Sequence, residues 1–351
     1  MDSTSGTRAI GWSVIFLFLL AGAAKADTPL SAEQTRAAFL KIIDRPRVDL
    51  APEVREQTRE NSIARFHFTY ASETRERVPG ILLIKPDLLH DGKRHPAAIV
   101  LHGTGGRKEG NLPLLERLAD KGTIAVAIDG RFHGERGTPA EYNAAIARAF
   151  AQGGSHPLYF DTVWDVMRLV DYLQSRPDVD GSRIGLMGIS KGGIETWLTA
   201  AADTRIAVAI PCISLQSFEW GLEHDGWRTR VGTVQRGFDA AANSAHVDRP
   251  GADFARRFYD RLIPGIYDRF DGPFMVTLIA PRPLLAISGE KDPINPLPGV
   301  RMCEEAARAA YASAAAADRF RLIIENGAGH TVTSDAQTRA VEWFVKWLAP
   351  Q

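Results

Sequence analysis

Read from its amino end, the chain is a succession of short, nearly unbroken apolar runs separated by longer stretches in which apolar residues recur every three or four positions. The first pattern predicts strands buried on both faces, the second amphipathic helices. Strands are expected at 65–71, 78–84, 97–101, 123–128, 183–187, 206–210, 283–288 and 320–325. Helices are expected between them at 112–121, 140–151, 160–174, 192–202, 301–316 and 334–348. Before the first strand, Ser31 and Gln34 have the spacing of a capping box, which predicts a helix to about residue 43. Alternation of this kind implies an α/β fold, a mostly parallel central sheet with helices on both faces. The closely connected early strands put its antiparallel part first.

One stretch breaks the rhythm. From 216 to 273 the chain is irregular and aromatic, with Trp220, Trp227, Phe238, Phe254, Phe258, Tyr259, Tyr267 and Phe270. It is too long for an ordinary strand connection, so an inserted cap or lid is expected there. Most of its aromatic side chains should fill the insertion's own core, with lining of an acyl or aryl pocket as the alternative.

The amino terminus has its own logic. Arg8 precedes the apolar run from Val14 to Ala21, and Ala24-Lys25-Ala26 fits a small-x-small cleavage site. Residues 1–26 read as an export signal, leaving a catalytic domain from Asp27 to the end and a periplasmic or secreted protein. The run is short for a lasting membrane span, the alternative being an uncleaved anchor. Composition adds one exclusion. Among 351 residues, 42 Lys and Arg balance 42 Asp and Glu, and such a neutral chain argues against nucleic acid or an anionic membrane as the main partner. Cys212 and Cys303, the two cysteines, could form one bridge after export or remain separate buried thiols.

The candidate chemistry sits at predicted strand ends. Gly188-Ile189-Ser190-Lys191-Gly192 follows an apolar run and opens a helix, the strand–turn–helix context of a nucleophile elbow. A serine hydroxyl needs a base, and His330 follows the last strand. Asp292, in the Gly-x-x-Asp turn after 283–288, would orient that imidazole, with Glu290 as rival. The order Ser190, Asp292, His330 is that of a hydrolase triad on this kind of sheet. The oxyanion donors would be the backbone N–H of Lys191 and that of Thr104 in His102-Gly103-Thr104-Gly105-Gly106, with Gly105 close behind. The Lys191 side chain is expected to be solvated, reach toward a substrate being the alternative. No paired His and acid spacing points to a metal. His102 is instead expected to brace the oxyanion loop, and His133 to belong to the turn after 123–128.

With these residues the sequence resembles the α/β-hydrolases, nearest the dienelactone-hydrolase and acetyl-xylan-esterase side. The resemblance spans about Ile81 to Leu348 apart from the insertion. It rests on His102-Gly103, Asp129-Gly130-Arg131-Phe132-His133-Gly134, the elbow, Gly289 to Asp292 and Gly329-His330. It departs from the dienelactone hydrolases in carrying Ser190 where they have Cys. The resemblance implies a cofactor-independent hydrolase that cleaves small-molecule carboxylic esters through an acyl-enzyme. Two alternatives are a peptidase or amidase of the prolyl-oligopeptidase type, and a non-catalytic binding module on a hydrolase scaffold.

Overall fold

A computed structural model of the chain describes Met1 and residues 31–60, 62–153 and 158–350. The expected export signal lies, but for Met1, outside the described residues. Among these, one sheet contains β1 (Glu53–Glu60), β2 (Ile63–Glu73), β3 (Glu76–Ile84), β4 (His95–Leu101), β5 (Ile124–Ile128), β6 (Val179–Ile189), β7 (Ile206–Cys212), β8 (Leu284–Gly289) and β9 (Phe320–Glu325). Their spatial order is β1-β2-β3-β5-β4-β6-β7-β8-β9. β1 to β3 form the antiparallel end, and β3 also runs antiparallel to β5. From β5 across to β9 every pairing is parallel, as the alternation of elements predicts.

The sequence pattern does not reveal β1. Its residues, Glu-Val-Arg-Glu-Gln-Thr-Arg-Glu, carry no apolar alternation, and those at 53–58 are exposed. A solvated edge strand needs no apolar face, and charge along it discourages pairing with another chain.

The helices are α1 (Ala32–Ile43), α2 (Leu112–Asp120), α3 (Pro139–Gln152), α4 (Leu158–Ser175), α5 (Lys191–Ala202), α6 (Phe218–Glu223), α7 (Trp227–Gly232), α8 (Gln235–Ser244), α9 (Ala252–Leu262), α10 (Gly272–Met275), α11 (Leu297–Ser313) and α12 (Ser334–Trp347). The expected capping box begins α1, with the Ser31 hydroxyl accepting from the Gln34 amide and the Gln34 side chain accepting from Ser31. Successive strand residues point to opposite layers. Ile99, Val126 and Leu186 join the core that includes Phe39 of α1, Trp164 of α4 and Trp197 of α5. Val100, Ala127 and Met187 join Leu115 of α2 and Phe344 of α12 on the other face.

Helices α6 to α9 make up the insertion between β7 and β8. Their aromatic residues mostly fill their own core: Phe238 lies 5.1 Å from Phe254 and 5.0 Å from Phe258, ring centre to ring centre. Phe150 of α3 meets Phe254 at 5.3 Å, anchoring the insertion to the body. Its two ends are joined by one buried carboxylate. Asp271 accepts from the Ser217 hydroxyl at 2.6 Å, the Phe218 amide at 2.7 Å and the Gly272 amide at 2.7 Å. Burial nevertheless pushes its pKa up to about 6. Cys212 and Cys303 are separate buried thiols, the second of the two expected outcomes.

The Phe344 ring packs against Gly185 of β6, where a Cβ would come within 2.4 Å of it. Truncating this fully buried ring removes the contact that seats α12 on β6. Phe344→Ala is expected to lower unfolding free energy by about 3–5 kcal/mol in guanidinium titrations; a loss below about 1 kcal/mol would show that α12 is not seated there.

Candidate active site

Ser190 ends the turn between β6 and α5 with φ 55° and ψ −114°. A non-glycine residue there is strained by roughly 1–3 kcal/mol, and the surroundings enforce it. A Cβ on Gly188 would lie 2.1 Å from the Gly192 carbonyl oxygen, and one on Gly192 would lie 2.6 Å from the carbonyl oxygen of His102. With no side chain at either position, strand and helix close tightly enough to lift the half-buried Ser190 hydroxyl above the sheet. The Ser190 amide is held by the Cys212 carbonyl of β7 at 2.9 Å.

The loops after β8 and β9 bring the other two predicted side chains to this point. The His330 Nε2 is 2.8 Å from Ser190 Oγ, and its Nδ1 is 2.7 Å from Asp292 Oδ2. The Asp292 side chain is wholly buried. Its other oxygen accepts the amides of Ile294 and Asn295 at 2.9 and 3.1 Å, so the carboxylate cannot swing away from the imidazole. The rival Glu290 is exposed and accepts from the Gly327 amide at 2.7 Å. It steadies the loop that carries His330 and does not touch the ring.

On the opposite side of Ser190 the loop after β4 meets the turn after β5. Gly103 and Thr104 share one cleft with Ser190 and His330. The Gly105 amide, second choice for an oxyanion donor, instead donates to His133 Nε2 at 3.1 Å. His102 accepts the Gly130 amide on Nε2 at 3.0 Å, and its Nδ1 faces the Gly103 carbonyl at 2.8 Å, a bracing role as expected. The sequence marks Asp129 only as part of the Asp129–Gly134 stretch and assigns it no role; it is fully buried and gathers the Lys108 ammonium at 2.7 Å, the Lys108 amide at 2.8 Å and the Glu135 amide at 3.0 Å.

Lys191 corrects an expectation. Its side chain is neither solvated nor directed to a substrate, being 2% exposed and ion-paired with Glu195 one turn along α5. The acceptor at i+4 lies on the same buried helix face, and together they satisfy a cation that burial alone would expel. The ammonium also lies 5.7 Å from the centre of the Tyr159 ring.

The cleft over Ser190 measures about 460 Å³ and is lined by Ile189, Ile213, Thr233, Thr331 and Val332 besides the residues already named. Two of these could not be read from the sequence. Thr233 comes from the insertion, and Ile213 is a buried β-branched residue at φ 47°, a conformation such side chains rarely tolerate. The Ile213 amide donates to the Ile287 carbonyl at 2.6 Å, which holds the residue there at the rim of β7.

The chain has relatives of known family and fold. Residues 41–219 match the family model for acetyl xylan esterase (AXE1), and residues 149–315 match that for fungal glucuronyl esterase. YtaP of Bacillus subtilis (strain 168), which carries the name of a hydrolase, is 30% identical over 266 residues, covering 72% of this chain and 79% of its own. Among solved structures, an acetyl xylan esterase from Paenibacillus sp. R4 superposes with a TM-score of 0.65 at 19% identity, over 90% of this chain and 93% of its own. Acetyl xylan esterase 1 from Thermoanaerobacterium sp. JW/SL YS485 gives 0.67 at 17%, over 92% and 95%. Both share the α/β-hydrolase fold. Among the described residues no helix is long and apolar enough to cross a membrane.

Burial and the Lys191 cation push the His102 pKa down to about 4, and burial with the same cation holds His133 at about 3. Both lie below the ordinary 6.5, so the unfolded chain binds the protons more tightly. Stability from these rings is complete above pH 6.5 and is lost as pH falls toward 4. Each should account for about 2 kcal/mol between pH 7 and pH 5. Denaturant midpoints measured at both values should fall for the wild type and fall less for His102→Gln; equal falls would contradict the assignment.

Proposed function

The chain belongs to the acetyl xylan esterase (AXE1) family of α/β-hydrolases and is a carboxylic ester hydrolase of the serine type, and from that premise we propose that Ser190, His330 and Asp292 carry its chemistry. The observation that supports this most strongly is the continuous line of hydrogen bonds, 2.8 Å and 2.7 Å, from the Ser190 hydroxyl through His330 to Asp292. In this reading His330 bears its proton on Nδ1 toward Asp292 and accepts the Ser190 proton on Nε2 as Oγ bonds to the ester carbonyl carbon. The tetrahedral oxyanion takes the amides of Thr104 and Lys191. As the carbon–oxygen bond to the alcohol breaks, His330 returns the proton to the leaving oxygen. Water then repeats the sequence on the acyl-enzyme, releasing the acid and restoring Ser190.

Small-molecule esters fit such a site, and the cleft favours a short, neutral acyl group. Its walls near Ser190 include the apolar Ile189, Ile213 and Val332, which offer no cation for a carboxylate. The match of residues 149–315 to the glucuronyl esterase model motivates a second reading, a uronate ester cleaved by the same groups. The insertion, through Thr233, would cap one side of the cleft. Residues 1–26 would direct export, so that the enzyme meets its substrate outside the cytoplasm.

Kinetics on p-nitrophenyl acetate, butyrate and octanoate, a methyl glucuronate ester and an aminoacyl anilide test these statements together. Acetate is expected to be turned over best and the anilide not at all, with Ser190→Ala lowering kcat by about 10⁴-fold or more. Strong anilide turnover without ester turnover, or an active Ser190→Ala, would defeat the reading; preference for the glucuronate ester would select the second. Ile213→Ala should raise kcat/KM on butyrate relative to acetate by roughly tenfold. An unchanged ratio would remove Ile213 from the acyl wall.

A further inference from the structure

We propose that His102 and His133 form a reciprocal clamp that fixes the Thr104 amide in position as an oxyanion donor, each ring receiving a backbone N–H from the loop that carries the other. His102 stands on the loop after β4 and receives the Gly130 amide of the turn after β5, at 3.0 Å. His133 stands on the turn after β5 and receives the Gly105 amide of the loop after β4, at 3.1 Å. This inference rests on the oxyanion role given above to Thr104.

The tautomers follow from the partners. A backbone amide can only donate, so Nε2 of each ring is the acceptor. The other nitrogens face carbonyl oxygens, His102 Nδ1 that of Gly103 at 2.8 Å and His133 Nδ1 that of Arg131 at 2.7 Å. Both rings therefore carry their single proton on Nδ1. A second proton would set N–H against N–H. The charged groups around the pair work in the same direction on balance. Lys191 faces both rings, Lys108 and Asp129 face His102, and Arg136 faces His133. A Cβ on Gly130 would lie 3.2 Å from the Lys191 ammonium and 3.6 Å from His102 Nε2, which brings that cation to the corner where the loops cross.

The clamp matters because the loop it holds has little stiffness of its own. Residues 103, 105 and 106 are glycines, Gly105 is exposed, and its φ is 74°. The pinned groups are the Gly103 carbonyl and the Gly105 amide, so Thr104 is fastened on both sides. The Gly106 amide closes the turn on the Gly103 carbonyl at 3.0 Å. The rings lie 5.0 Å apart, and Tyr142 of α3 closes the far side of His133 at 4.5 Å, so neither imidazole can rotate away. His102 and His133 are thus positioning residues, acting on the reaction through Thr104. A donor displaced by about an ångström loses most of its value to a developing oxyanion.

His133→Leu fills the same space without an acceptor, and His133→Gln restores one together with an N–H for the Arg131 carbonyl. In the Leu variant kcat on p-nitrophenyl acetate is expected to fall roughly 10- to 100-fold with KM within about twofold, and the Gln variant to return within about threefold of wild type. Hydrogen–deuterium exchange of the Gly105 amide reads the clamp without turnover. Faster exchange in the Leu variant with kcat lowered, both reversed by Gln, supports the proposal. Unchanged exchange overturns the clamp whatever the activity does, and faster exchange with kcat unaltered overturns its role in positioning Thr104. If the Leu variant fails to fold, the Gln variant decides alone, and a loss of more than tenfold in kcat counts against the proposal. Absence of Ser190-dependent ester hydrolysis in the wild type would strike the underlying reading instead, because the exchange measurement does not depend on it.

Discussion

The turn that holds Ser190 can be as sharp as it is because nothing projects from Gly188 or Gly192. A methyl group at either position would sit within 2.6 Å of a backbone carbonyl oxygen, closer than any repacking could accommodate. From this steric constraint the remaining geometry follows. β6 lies in the interior of the sheet between β4 and β7, so the hydroxyl emerges where the loops from four parallel strands meet. The strain in Ser190 is offset by the wholly buried helix α5 and its contacts with both neighbouring strands.

Around that fixed point the protein uses backbone groups more than side chains. Asp292 is aimed by two amides, the His330 loop is tied through Glu290 to the Gly327 amide, and the loop after β4 is held by imidazoles that accept amides. Such bonds are short in reach and directional, which suits a site that must present donors where charge develops and not where it already stands. The buried Lys191–Glu195 pair belongs to the same scheme. It places a cation beneath the crossing loops, beside two rings that must stay neutral in order to accept.

Much of this was legible in the sequence because parallel strands leave a double signature, an apolar run followed by a glycine-rich turn. Ser190, Asp292 and His330 each follow such a run, so their convergence could be inferred from chain order. β1 escaped because an edge strand of alternating charges has no core to face. Lys191 was misjudged because its charge is visible in the sequence, whereas its burial depends on Glu195 and the packing of α4. The partnership of His102 and His133 was hidden for another reason: each ring binds a main-chain amide 28 residues away, and an amide leaves no trace in residue identity. The strained Ile213 and the contribution of Thr233 from the insertion were out of reach for the same reason, since both depend on where loops pass over the sheet.

The central claim is that one hydroxyl, activated by one imidazole, forms the covalent intermediate. Peptide mapping by mass spectrometry after reaction with a fluorophosphonate tests it most directly. The account predicts a single adduct, on Ser190, formed far more slowly in His330→Ala. An adduct on another residue, or labelling of Ser190 at an undiminished rate without His330, would contradict it.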